Sequence, residues 1–196
     1  AEKIAKDSKR ILIKPFDDKD IIIGQGTAGL EIEKQLKSKK IFPDIFLCCC
    51  SGGGLIAGTS TYLKKYYKNM QVYSVEPKYF DDTKISLEKG KITPIDLLNH
   101  TICDALTVNV PGKITFKINK FLIKEGLVVN DDEVKNAIRT LYHKLKIVVE
   151  PGGAAPTAAL LSKKTDFNNK VVLVMVSGGN IDKNFFQKII NYEKNN

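Results

Sequence analysis

The sequence predicts an α/β fold with a mainly parallel sheet, and three observations carry that expectation. Strand-like and helix-like stretches alternate along the chain. Two strongly apolar strands, Ile45 to Cys50 and Val171 to Val176, each break into a glycine-bearing turn, Ser51-Gly52-Gly53-Gly54 and Ser177-Gly178-Gly179-Asn180. The first turn runs directly into a helix and a further strand, a β-α-β unit that should cross over right-handedly.

The opening residues Ala1 to Lys6 alternate charges as an exposed helix does. A short strand is expected over Ile11 to Pro15. It leads through the turn Phe16-Asp17-Asp18-Lys19 to a segment from Ile21 to Lys37 with apolar residues at helical spacing. After the core strand Ile45 to Cys50 comes a helix from Leu55 to Tyr67, then a strand from Gln71 to Val75 ending in Glu76-Pro77. Between Pro77 and about Val110 the periodicity weakens. Irregular structure is expected there, with short helices around Asp82 to Lys89 and Pro94 to His100, and loops of that length often carry function. Pro111-Gly112 opens a helix through Leu122, and Leu127 to Val129 reads as a short strand. Asn130 then caps a helix over Asp131 to Lys144, with Glu133 as its capping-box acid. Val149-Glu150-Pro151-Gly152-Gly153 leads into an alanine-rich helix ending at Ser162. The strand Val171 to Val176 follows, and a last helix after Asp182 precedes a polar tail.

Composition narrows the function classes. With 43% hydrophobic and 27% charged residues the chain can build a substantial core, while no uncharged apolar run is long enough to cross a bilayer. The formal charge of +9 would suit nucleic acid if the lysines clustered with aromatics, but they are spread over nearly every polar face and read as solvated surface. Three of the four cysteines are contiguous on a buried strand, where neighbours point to opposite sides. Metal-type spacing is missing, so reduced thiols of a cytosolic protein are expected. His100 and His143 read as a loop and a helix-surface residue, and no Ser-His-Asp arrangement is visible.

The turn Ser51 to Gly54 has the makings of an anion cradle. Without side chains in the bend, consecutive backbone N–H groups can converge on a phosphate, and the helix that follows adds its positive end, worth about 0.3–1 kcal/mol when exposed. Both glycine turns lie at carboxyl ends of strands, so they should share one edge of the sheet, where open α/β sheets bind ligands. One phosphate and one polar anchor are implied.

Six ordered motifs then carry a resemblance over almost the whole chain. They are IIIGQGTAGLEI (Ile21 to Ile32), SGGGLIAG (Ser51 to Gly58), VEPKYFDD (Val75 to Asp82), TICDAL (Thr101 to Leu106), VVEPGGA (Val148 to Ala154) and VSGGNID (Val176 to Asp182). Together they resemble the serine/threonine dehydratases of the fold-type-II pyridoxal-phosphate enzymes, whose fold is like that of the tryptophan synthase β-chain and which include serine racemase. The resemblance implies that Ser51, Gly52, Gly53, Gly54 and Leu55 supply backbone donors to the phosphate of pyridoxal 5'-phosphate. It also implies that Ser177 hydrogen-bonds the pyridine nitrogen. A hydroxyl cannot hold that nitrogen protonated as a carboxylate could, and the weaker electron sink suits elimination. Glu150 and Asp104 match positions near the ring and on the substrate side, with Ala105 standing where many relatives have glycine. Glu76, the Phe80 carbonyl and Asp82 match the positions that bind a divalent cation, such as magnesium, in metal-dependent relatives; hard oxygen ligands suit such an ion. Gln25-Gly26-Thr27 is left without a catalytic role, since packing explains its glycines equally well.

Two motifs of the family are missing. Neither the Ser-Phe-Lys-x-Arg-Gly segment that bears the Schiff-base lysine nor the Ser-x-Gly-Asn-His segment that holds the substrate carboxylate occurs, so no catalytic residue can be named. The chain is therefore expected to be a C-terminal portion of a longer enzyme. On this reading residues 1–20 are the end of the small domain and its return segment, and residues 21–196 belong to the large cofactor domain. The implied activity of the whole is a threonine/serine ammonia-lyase, giving 2-oxobutanoate or pyruvate and ammonia. A cytoplasmic homodimer or homotetramer that binds neither nucleic acid nor membrane goes with it. Serine racemase and hydroxyaspartate dehydratase share the motifs, and a noncatalytic cofactor-binding remnant is the reading from another class.

Overall fold

Strand β1 (Ile45–Cys49) is buried at every position, so both faces of its sheet have to be covered. The computed structural model describes residues 1–191 and meets that demand. Strand β1 is joined by β2 (Gln71–Pro77), β3 (Ile123–Val129) and β4 (Val172–Val174), all parallel, in the order β3-β2-β1-β4. One face takes Leu47, Cys49, Tyr73, Val75, Leu127 and Val129 into a core with helices α6 (Asp131–Leu145), α7 (Pro151–Leu161) and α8 (Lys183–Ile190). The other face packs Phe46, Cys48, Cys50, Val72 and Ile123 against Ile56 and Leu63 of α3 (Gly54–Tyr66). Helix α7 is buried from Pro151 to Ala159, which is why it is apolar all round rather than striped.

The remaining helices frame this sandwich. Helix α1 (Glu2–Asp7) has no buried residue. Helix α2 (Lys19–Ser38) lies on α3 and starts two residues before the expected Ile21, because the Asp18 carboxylate accepts from the Asp20 N–H at 2.9 Å. Helices α4 (Asp82–Glu88) and α5 (Lys113–Leu122) form where the sequence placed them. Asn130 and Glu133 make the expected capping box on α6. All four cysteines are free and buried.

Three expectations need correction. Ile11 to Pro15 forms no strand: the segment is irregular and exposed, with Ile11 and Ile13 93% and 75% accessible. A strand-forming composition gives no strand without a neighbour to bond. Pro94 to His100 forms no helix; it is irregular, and the Ile95 N–H donates to the Asn109 carbonyl at 2.9 Å. The strand seen as Leu127 to Val129 begins at Ile123, immediately after α5, because its exposed Lys124 and Glu125 lie on the outer edge of the sheet and hide the apolar pattern. The polar tail beyond Asn191 lies outside the described residues. No described helix is long and apolar enough to cross a membrane.

Candidate active site

The parallel order brings the carboxyl ends of β1 and β4 side by side, so their two turns share one edge of the sheet. The first turn is built from below. Gly53 has φ +89°, a conformation that an L side chain rarely adopts, and it is the N-cap of α3. The Thr115 hydroxyl donates to the Gly52 carbonyl at 2.6 Å, and the Asn119 amide donates to the Gly53 carbonyl at 3.1 Å. Both side chains rise from one face of α5 and are buried. With its carbonyls tied down on that side, the turn is free to present its N–H groups to the other. The start of α5 is fixed in turn by Asp17, whose Oδ1 accepts from the Ile114 N–H at 2.7 Å.

Facing the turn is a cavity of about 380 Å³, lined by Ser51, Gly52, Gly53, Gly54, Leu55, Glu150, Ser177 and Cys49, with Phe16 and Leu106 as apolar walls. The Phe16 ring lies against Gly52, where any Cβ would overlap it. Ser177 is exposed on the cavity side and sits 3.3 Å from the Cys49 sulfur. The Glu150 carboxylate is half-buried at the N-cap of α7 and accepts from the Asn180 N–H at 3.0 Å. The Glu150 N–H donates to the Gly178 carbonyl at 3.0 Å, so Glu150 grips the second turn from both ends. Asp104 is exposed and accepts from the N–H of its neighbour Ala105 at 2.9 Å; Ala105 itself lines the cavity.

Glu76, Phe80 and Asp82 lie together at the end of β2 and the start of α4, apart from the cavity lining. Glu76 is fully buried, and its two oxygens accept from the Thr83 and Lys84 N–H groups, each at 2.8 Å. Asp82 is also buried, and neither of its oxygens has a hydrogen-bond partner. Burial pushes the Asp82 carboxyl up to about 7; burial and then the Asp82 charge push Glu76 well above the usual carboxylate range. Among the described residues no three His, Cys, Asp or Glu side chains converge as a metal site, so these carboxylates stand as a pair.

Thr115, Asn119 and Asp17 were not singled out from the sequence. The hydrogen bonds of Thr115 and Asn119 to the turn span 63 and 66 residues of chain, although two polar residues four apart on the buried face of an amphipathic helix were a signal of a polar task. Gln25-Gly26-Thr27 lies within α2, where Gly26 faces the Gly58 backbone of α3. The His143 ring hydrogen-bonds the Ile190 carbonyl at the end of α8, and His100 is exposed.

Known proteins resemble this chain in sequence and in fold. A catabolic L-threonine dehydratase of Staphylococcus aureus is 35% identical over 184 residues, 92% of this chain and 52% of its own length. A threonine deaminase of T.th. superposes with a TM-score of 0.87 at 36% identity, over 93% of this chain and 61% of that one. Maize serine racemase gives 0.86 at 31%, over 95% and 56%. The chain thus spans about half the length of the curated relatives it matches. The family described as pyridoxal-phosphate dependent enzyme matches residues 1–178, most of this chain. With two glycine turns meeting at one edge of a parallel sheet, and relatives alike in sequence and in fold, the chain belongs to the pyridoxal-phosphate dependent enzymes of fold type II.

Proposed function

We propose that this chain supplies the cofactor-binding part of an ammonia-lyase that acts on small hydroxy amino acids, converting threonine to 2-oxobutanoate and ammonia, or serine to pyruvate and ammonia. The observation that carries the reading is the cradle and anchor on a single cavity: a side-chain-free turn with its carbonyls held away, and the Ser177 hydroxyl beside it. The 35% identity to a threonine dehydratase supports the choice of substrate. In that cavity pyridoxal phosphate would supply an electron sink for the substrate's α-carbon. The N–H groups of Ser51 to Leu55 would hold its phosphate, and the Ser177 hydroxyl would donate to its pyridine nitrogen, a contact worth about 0.5–1.5 kcal/mol. Glu150 fixes the turn that carries Ser177. No lysine lines the cavity among the described residues.

The test is a titration of the protein with pyridoxal phosphate, followed by absorbance before and after borohydride reduction and by peptide mapping. Saturable binding, competed by inorganic phosphate and not fixed onto a lysine of this chain, is the expected result; absence of saturable binding overturns the reading. On the complete enzyme, release of 2-oxobutanoate from threonine separates a lyase from a racemase, which the likeness to maize serine racemase favours and which would give D-serine from L-serine. A homodimer or homotetramer belongs to the same reading, and sedimentation measures it.

The Glu76 and Asp82 pair suits a divalent cation as part of this proposal. Two unpartnered carboxylate oxygens in a buried position leave a charge uncompensated, and a hard cation with waters would compensate it. Magnesium or calcium at about a hundred times its dissociation constant should stabilise the fold by about 2.7 kcal/mol, a rise in melting temperature of about 5–10 °C. Asp82→Asn should remove the response and raise the cation-free melting temperature, since it deletes a buried charge. Glu76→Gln should lower it, because an amide cannot accept both the Thr83 and the Lys84 N–H. A melting temperature indifferent to cations in the unmodified chain would mean that the pair holds protons instead.

A further inference from the structure

The wall of the cavity carries a thiol to which the family resemblance gives no role. Cys49 is the last residue of β1 and is 7% accessible. It points to the same side of the sheet as Leu47, lines the cavity beside the glycine turn, and sits 3.3 Å from Ser177 Oγ. A serine hydroxyl has one proton and two lone pairs, so it can donate to only one neighbour at a time. If Ser177 gave its proton to the Cys49 sulfur, nothing would remain for a ligand ring. If Cys49 gives its proton to Ser177 Oγ, the hydroxyl proton is free to point into the cavity.

The surroundings of Cys49 favour the second arrangement. The Glu150 carboxylate also lines the cavity, and its charge opposes a thiolate that would draw the Ser177 proton inward. The adjacent Cys48 lies on the opposite face of the sheet and donates to the Cys49 carbonyl at 3.4 Å, so it makes no claim on the Cys49 sulfur. The Cys49 S–H thus has Ser177 Oγ, 3.3 Å away, as its acceptor in the cavity wall.

We propose that Cys49 is a positioning residue for Ser177, donating its S–H to Ser177 Oγ so that the hydroxyl proton is directed at the pyridine nitrogen of the cofactor. The inference rests on the pyridoxal-phosphate reading given above. Cys49 touches no reacting atom; it acts by setting the orientation of another group. Its loss weakens the ring contact, whereas loss of Ser177 removes it.

The experiment uses pyridoxal phosphate labelled with 15N at the ring nitrogen, bound to the wild-type chain and to S177A, C49A and C49S. The ring-nitrogen shift of S177A should move to the value of a ring without a donor. C49A should fall between S177A and wild type and bind the cofactor about two- to fivefold more weakly. C49S, which keeps a donor at the position, should restore both. If S177A moves the shift and C49A does not, or if C49S fails to restore it, the proposal is overturned while the Ser177 assignment stands. If S177A leaves the shift unmoved, or the wild-type chain binds no pyridoxal phosphate, the cofactor reading fails and this inference with it. Should C49A not fold, infrared difference spectra of wild type against C49S isolate the Cys49 S–H stretch in the cofactor-free chain. That band should lie at lower frequency than the corresponding band obtained in the S177A background, and a band unmoved by S177A overturns the proposal.

Discussion

Replacing Gly58 with alanine should lower the melting temperature of the chain by about 6–12 °C. Helices α2 and α3 pack against each other with no room for a side chain at this residue. A Cβ on Gly58 would fall on the Ile22 carbonyl oxygen, 2.7 Å from the Gly26 nitrogen and 2.9 Å from the Gln25 Cβ. Two of those atoms are backbone inside a helix and have no rotamer to adopt. Relief requires the helices to move apart, which loosens the neighbouring contact where Gly29 faces the Thr59 carbonyl. Overpacking of this kind costs about 3 kcal/mol, and a chain of this size loses about 2–4 °C for each kcal/mol. Gly24→Ala is the internal control: it lies in α2 with nothing within 4 Å of its Cβ, so it should stabilise by about 0.8–1 kcal/mol through helix propensity. Thermal unfolding followed by circular dichroism measures both. Equal melting temperatures for the two variants would sink the account of the crossing.

What was legible in the sequence is what local chemistry writes down. The run Ile45 to Cys50 followed by glycines told of a buried strand, a side-chain-free turn and a helix, because apolarity and the missing Cβ atoms are read position by position. Asn130 and Glu133 announced the start of α6 for the same reason. The failures are of another kind. Ile11 to Pro15 has the residues of a strand, but a strand is defined by its neighbour, and no stretch of sequence carries that information. Ile123 to Gly126 has an edge position that tolerates Lys124 and Glu125, so its alternation is masked. At the site, the glycines and Ser177 were visible, while Thr115 and Asn119, which hold the turn in place, act across more than 60 residues. The buried state of Glu76 and Asp82 was equally hidden, since an acidic loop on paper reads as solvated until the fold closes over it.

That dependence of the cradle on α5 sets the second large effect: Gly53→Ala should weaken pyridoxal phosphate binding by ten- to a hundredfold. The substitution acts twice. At φ +89° an alanine is strained by about 1–2 kcal/mol, and its Cβ would lie 2.6 Å from the Asn119 amide nitrogen and 3.2 Å from the Thr115 side chain. To escape, the turn must release the Gly53 carbonyl from Asn119 and rotate, and rotation swings its N–H groups off the phosphate. A lost hydrogen bond to a charged group is worth about 1.5–3 kcal/mol, which gives the stated range. Thr115→Val tests the same support without touching the turn: it deletes only the hydroxyl that donates to the Gly52 carbonyl, so binding should fall by about two- to tenfold with the glycines intact. Cofactor titrations of both variants, read beside their melting temperatures, separate geometry from stability. If Thr115→Val binds as wild type does, the carbonyl clamp has no part in shaping the cradle, and the glycines alone account for it.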